Sequence, residues 1–335
     1  MAVSASLHRA QILFPGILAP ATVGVAASFL SDHYGGPAML YALLLGMAFY
    51  FLSQDGRCVQ GIEMSSRLVL RIGVGLLGMR ITVGQIAALG IEVPLLMVGA
   101  VAFTIASGLV VGRVLGQRRD FSVLSGAAVA ICGASAALAV AAVLPRHRHS
   151  ERDTIFTVIG VTTLSTLAMV LYPMLVSAFG LDATDAGIFL GGTIHDVAQV
   201  VGAGYSLSAK TGDTATFVKL FRVTLLLPVV MMVSLAFGAS RGKLAEGGRR
   251  PPLLPPFLVA FALLVALNST SILPVWVGEA ASGLSRWCLM TAIAALGMKT
   301  SLKAMGELGV RPVLLLVAET VLMAVLVMAV IVLRA

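Results

Sequence analysis

Charge is scarce in this sequence. Only 11% of its 335 residues are Asp, Glu, Lys or Arg, against about a quarter in an ordinary soluble domain. Aromatic residues are also sparse at 6%, while apolar residues make up 59% and mean hydropathy is +1.00. So little polar surface cannot coat a soluble globule of this size. Cysteine is nearly absent: Cys58, Cys132 and Cys288 stand far apart, without the spacing of a zinc site or a redox pair. There is no Gly-rich loop ending in Lys-Ser/Thr, which argues against direct ATP hydrolysis. The net charge of +8 does not point to nucleic acid, because the basic residues are scattered through short loops without an aromatic-basic face.

What remains is a lipid-bilayer protein. Runs such as Val313–Leu333 reach the roughly 20 apolar residues a crossing needs. Apolar segments fall at 11–30, 36–53, 64–89, 93–115, 122–145, 153–179, 187–209, 214–240, 253–273, 284–303 and 311–333, separated by charged or turn-forming connectors. His8 and Arg9 before the first run mimic a signal peptide, but the many later spans favour a retained first helix. No soluble domain fits between the spans. The expectation is an all-α polytopic membrane protein, one transmembrane domain over 1–335.

The chain repeats itself. LGMRITVGQIAALGIEVPLL, from Leu77, matches LGMKTSLKAMGELGVRPVLL, from Leu296, so that Arg80 answers Lys299. More weakly, CGASAALAVAAVL (from Cys132) with its downstream ERDTIFTV matches GGTIHDVAQVVGA (from Gly191) with GDTATFVK. Repeat-related elements at 64–179 and 187–333 fit a secondary transporter, whose repeats often have inverted topology. Loop charge gives the same arrangement. The basic loops 113–119, 241–250 and 299–311 face inside if the N-terminus does, but PRHRHSERD would then lie outside. Letting 122–145 and 187–209 dip in as re-entrant or unwound helices repairs this. The prediction is therefore about 9–11 membrane segments, two of them discontinuous, with the N-terminus in and the C-terminus out.

Polar groups inside apolar segments are expensive, which makes them candidates for function. GGTIHDVAQVVGAGY carries Gly192, Thr193, His195, Asp196 and Gln199 among helix-breaking glycines. A helix interrupted there offers free N–H groups and a dipole end to an anion, with His195 and Asp196 as the proton-coupling pair. The alternative is a polar staple between helices. The repeat-related segment contributes Ser125, Cys132, Gly133 and Ser135; small residues at this spacing also serve close helix packing. In TFVKLFRVTLLLPVV, Lys219 and Arg222 share a helical face, either snorkelling to the interface or supplying fixed positive charge for an anion. Arg80 and Lys299 read as interfacial anchors, and Asn268, Ser269 and Glu319 as isolated polar residues.

RIGVGLLGMRIT, AICGASAALAVAAVL, GGTIHDVAQVVGAG and KLFRVTLLLP together resemble the sulfate exporter family of YeiH-type bacterial inner-membrane proteins, over about Phe14 to Val332. The resemblance implies a distant kinship with bile-acid/sodium symporters, arsenite exporters and auxin carriers. These combine inverted repeats, a scaffold panel and a core with two discontinuous helices. One departure stands out: here the LGMK element follows the GGTIHDVAQ element. The expected function is a secondary transporter, an exporter of a small anion such as sulfate or an organosulfonate. A proton or sodium ion would couple transport, and no cofactor, metal or nucleic acid would be involved; homodimerisation is left open. A sodium-coupled organic-anion symporter and a passive anion channel are the alternatives. An intramembrane enzyme built on His195, Asp196 and Cys132 lacks a nucleophile motif.

Overall fold

The computed structural model describes residues 2–34, 37–54, 56–145, 147–237, 256–270, 272–300 and 309–334, and places no strand among them. The connector 241–250 and the 301–308 part of the LGMK repeat lie outside the described residues. Five helices are long and apolar enough to cross a membrane by length and composition, within Ile12–Tyr34, Glu92–Val114, Ser150–Ala178, Ala209–Ala236 and Val310–Arg334; shorter apolar helices accompany them. This is a multi-pass helical membrane protein.

The chain folds into two compact units, each woven from three stretches. The first takes Met1–Ala88, Val201–Asp213 and Pro256–Ser301. It contains α1 (Ala2–Tyr34), α2 (Ala38–Ala48), α3 (Val59–Met64), α4 (Leu70–Leu76) and α5 (Val83–Ala88). A π-helical turn at Ser65–Val69 joins α3 to α4, and a 3-10 turn at Leu77–Met79 ends the run. The 64–89 segment expected as one span therefore starts earlier, at Val59, and stops near Arg80. Asn268 Nδ2 donates to Ile81 O at 3.2 Å, and the Val83 N–H donates to Ser269 Oγ at 2.8 Å, fixing the turn that follows. Asn268 and Ser269 come from the end of α14 (Pro256–Ser269).

α15 (Val275–Lys299) begins nine residues before the expected Leu284; Glu279 had cut the apolar run short. Its tightest neighbour is α2. A Cβ on Gly46 would lie 2.3 Å from Ala294 O, and one on Gly297 would lie 2.3 Å from Leu43 O. Only glycine allows this backbone-to-backbone crossing, the usual basis of helix association in lipid.

The second unit takes Leu89–Val200, Thr214–Pro255 and Leu302–Ala335. It holds α6 (Glu92–Val114), α7 (Arg119–Ala130), α8 (Ala134–Ala141), α9 (Ser150–Ala178) and α10 (Ala183–Thr193). α11 (Val197–Leu207) and α12 (Ala209–Thr224) each run from one unit into the other, and α13 (Leu226–Ala236) and α16 (Val310–Arg334) complete the set. Both segments expected to be discontinuous are broken, between α7 and α8 and between α10 and α11. α7 and α8 form a hairpin whose two ends lie together. His147 Nε2 is 2.6 Å from Asp120 Oδ2, and Arg118 bridges to Asp153. Partial burial pushes the Asp120 carboxyl up, but its bonds from Arg118 and the Phe121 N–H prevail and hold it below the usual value.

Gly133 makes the tip of this hairpin at φ 61°, ψ −122°, a backbone that side-chain-bearing L-residues avoid. Gly133→Ala is expected to lose about 1–3 kcal/mol of stability. Gly99→Ala is the control: a Cβ there, in α6, meets nothing within 4 Å. Denaturant unfolding in detergent compares the two, and equal stabilities would contradict the strained tip.

Candidate functional site

The two breaks meet. A Cβ on Gly133 would stand 3.7 Å from His195 Cβ. At this junction α7 and α10 both terminate, so two sets of helix-end carbonyls, each carrying partial negative charge, converge in the interior. α12 brings two cations to them. Arg222, wholly buried, donates from Nε to Ala130 O (3.1 Å), from Nη1 to Gly191 O (2.9 Å) and Ile194 O (3.2 Å), and from Nη2 to Ala130 O (2.6 Å) and Val129 O (3.2 Å). Lys219, equally buried, donates to Ile131 O (2.7 Å) and Ile194 O (2.9 Å). The three-residue spacing seen in the sequence places both on one face of α12. Their donors face carbonyl oxygens, and neither side chain snorkels.

The N-terminal end of α11 is treated differently. Asp196 caps it: Oδ1 accepts from the Ala198 N–H at 2.9 Å, and the Asp196 N–H donates to Ser165 Oγ at 2.9 Å. A carboxylate thus sits where the positive end of a helix dipole would favour any anion. Asp196 is only partly buried. Next to it, wholly buried His195 approaches Val129 O through Nδ1 (3.1 Å) and Thr320 Oγ1 through Nε2 (3.0 Å). A carbonyl can only accept, so Nδ1 carries a proton. The Thr320 hydroxyl can either donate to Nε2 or turn to Leu316 O, 2.8 Å away, and accept from a protonated Nε2. The ring keeps both hydrogen bonds in either protonation state.

Gln199 Nε2 donates to Thr166 Oγ1 at 2.8 Å, while its buried Oε1 has no partner among the described residues. Ser125 Oγ donates to Glu319 Oε1 at 2.8 Å, and Glu319 Oε2 is buried without a partner among the described residues. A Cβ on Gly192 would meet Met97 of α6, and Thr193 bonds its own helix at Phe189 O (2.6 Å). Cys132 is buried at the junction, between α7 and the Gly133 tip, and Ser135 is exposed on α8. In the first unit, Arg80 stands 3.6 Å from Asp213, and Lys299 pairs with Glu63.

Three junction residues escaped the sequence reading: Ser165 and Thr166 on α9, and Thr320 on α16. The signal was available in the run TVIGVTTLST (157–166), whose hydroxyls recur along the helix. Most of them bond their own helix at i−4, as Thr162 and Thr163 do, so the few that reach out do not stand apart.

The fold and the junction define a polytopic membrane protein with two interrupted helices clamped by buried cations. The chain belongs to the family described as conserved hypothetical protein 698, whose model matches residues 15–316. It is 56% identical over 327 residues to a UPF0324 membrane protein of Chlorobaculum tepidum (97% of this chain, 91% of the relative). It is also 56% identical over 318 residues to the UPF0324 membrane protein TauZ of Paracoccus denitrificans (95% and 94%). A UPF0324 membrane protein of Caulobacter vibrioides is 36% identical over 314 residues (93% and 67%). These matches are consistent with the YeiH-type resemblance carried by the motifs. No solved structure matches the chain.

Removing Arg222 strands several carbonyls in a dry interior, each worth about 1–3 kcal/mol when unsatisfied. Arg222→Ala is therefore expected to lower stability by roughly 3 kcal/mol or more, and Lys219→Ala by less, since it serves fewer carbonyls. Arg222→Lys should recover only part, lacking the planar fork. Thermal midpoints in detergent and membrane protein levels check this ranking. Wild-type stability in Arg222→Ala would show that other groups serve those carbonyls.

Proposed function

We propose that the protein is a secondary transporter that exports a small anion, sulfate or an organosulfonate, across the bacterial inner membrane by alternating access coupled to protons. The junction carries this reading: four helix ends, two buried cations, a histidine and an aspartate meet where two helices are broken. Discontinuous helices around a central polar site are the common architecture of secondary transporters, and the family resemblance points the same way.

The chemistry follows from which helix ends are already neutralised. Lys219 and Arg222 satisfy the C-terminal carbonyls of α7 and α10, so the ends left to respond to charge are the N-termini of α8 and α11. α8 has Gly133 at its cap and no side-chain bond; α11 has Asp196. A proton on Asp196 removes negative charge from the end of α11 and leaves its N–H groups and dipole to an incoming anion. Proton and anion then bind with reciprocal coupling. His195 provides the second titratable group, with the Thr320 hydroxyl adjusting to either state of the ring. Lys219 and Arg222 keep the surroundings positive throughout.

Proteoliposome flux over a pH series, at fixed sodium, tests this. His195→Ala should flatten the pH profile. Asp196→Asn should still pass substrate down its own gradient but no longer respond to an imposed pH gradient. Thr320→Val should shift the profile without abolishing flux. If both His195→Ala and Asp196→Asn keep wild-type pH profiles at wild-type protein levels, the junction is a polar staple and not a coupling site.

A further inference from the structure

The first unit holds a cavity of about 690 Å³ that the junction does not use. Two arginines line it, Arg80 and Arg286, together with Tyr205, Ser282, Leu77 and Met290, and no carboxylate is among its lining residues. Arg286 is the twelfth of 25 residues in α15. At about 1.5 Å per residue it stands roughly 17 Å from the helix start, near the middle of a helix long enough to cross a bilayer. Its side chain is exposed and has no ion-pair or hydrogen-bond partner among the described residues. A mid-helix arginine without a partner among the described residues leaves its guanidinium free to receive a ligand in the cavity. Glu279, the other charge on the body of α15, lies two turns away and is itself exposed.

Arg80 is held in place for the same cavity. Its guanidinium lies over the Tyr205 ring, 5.1 Å from the centroid, with Asp213 3.6 Å from Nε. The Tyr205 hydroxyl in turn bonds Asp213. Stacking on one face and a carboxylate at one edge fix the planar group, the arrangement that makes arginine a preorganised oxyanion receptor. Asp213 offsets one of the two positive charges, so the cavity suits a monoanion.

Size decides the rest. The volume falls within the roughly 300–1,000 Å³ of small-molecule sites, far more than a bare inorganic oxyanion fills. Leu77 and Met290 add apolar surface to the lining. The geometry points to a binding site for a small organic monoanion, an oxyacid group held by Arg286 and Arg80 with a short apolar body against Leu77 and Met290. Its role as a substrate site rests on the transport reading above; its occupancy does not.

Calorimetric titration of the full chain in detergent tests it, with butanesulfonate, inorganic sulfate and butanol as probes. Butanesulfonate should bind about tenfold or more tightly than sulfate, and butanol not measurably. Arg286→Gln should weaken butanesulfonate binding by about tenfold or more, as loss of a charge-assisted contact does. Because Arg286 has no hydrogen-bond or ion-pair partner among the described residues, the variant's thermal midpoint should hold. Ser282→Phe, which fills the cavity and alters no charge, should also abolish binding. Wild-type affinity in both variants, or no butanesulfonate binding by the wild type, overturns the assignment; so does equal affinity for sulfate and butanesulfonate. Proteoliposome flux separates the two readings. Binding that responds to Arg286→Gln without any flux keeps the site and removes transport. Undiminished anion flux in Arg286→Gln removes the site's role in transport and keeps transport.

Discussion

An α-helix cannot simply stop in hydrocarbon. Its last carbonyls need donors, and lipid has none. α7 and α10 both stop inside the second unit, and the donors come from two side chains on α12. Arg222 alone spans both helix ends, from Val129 and Ala130 on one to Gly191 and Ile194 on the other. Everything distinctive about the junction depends on this clamp. It permits the breaks, brings Gly133 against His195, and leaves the polar residues of 193–199 in a protein-lined setting instead of in lipid.

The clamp also sorts charge by helix end. Cations sit at the two C-termini and an aspartate at one N-terminus, each where the dipole favours it. With Asp196 ionised such an arrangement carries one excess positive charge, and a single proton changes that balance at one defined place. The neighbouring hydroxyls of Ser165, Thr166 and Thr320 keep every member oriented. α9 and α16, otherwise apolar helices, thereby become part of the centre.

Much of this was legible in the residues. Glycines beside intramembrane polar groups marked both breaks, and the i, i+3 spacing of Lys219 and Arg222 put them on one face. What they face was not legible. A sequence shows that a cation lies within an apolar segment, but nothing in it tells a substrate anion from a helix-end carbonyl, because both ask for the same donor. Thr320 was hidden for a related reason: a threonine bonded to its own helix looks unremarkable until a histidine arrives from elsewhere in the chain. The start of α15 was misjudged because Glu279 fell outside the apolar run. Arg286, inside that run, lines the cavity of the first unit.

The position of the clamp along the chain bears on biogenesis. α7 and α10 precede α12 in synthesis, so their terminal carbonyls enter the bilayer before residue 222 exists to meet them. Until α12 arrives, both breaks are polar ends without these partners. The step that completes them is then not the threading of another apolar span. It is the delivery of a guanidinium into a place prepared by helices made long before it, with α16 following to close over His195. A nascent chain halted before Thr224 would carry two unfinished helix ends, a form recognisable to membrane quality control as incomplete.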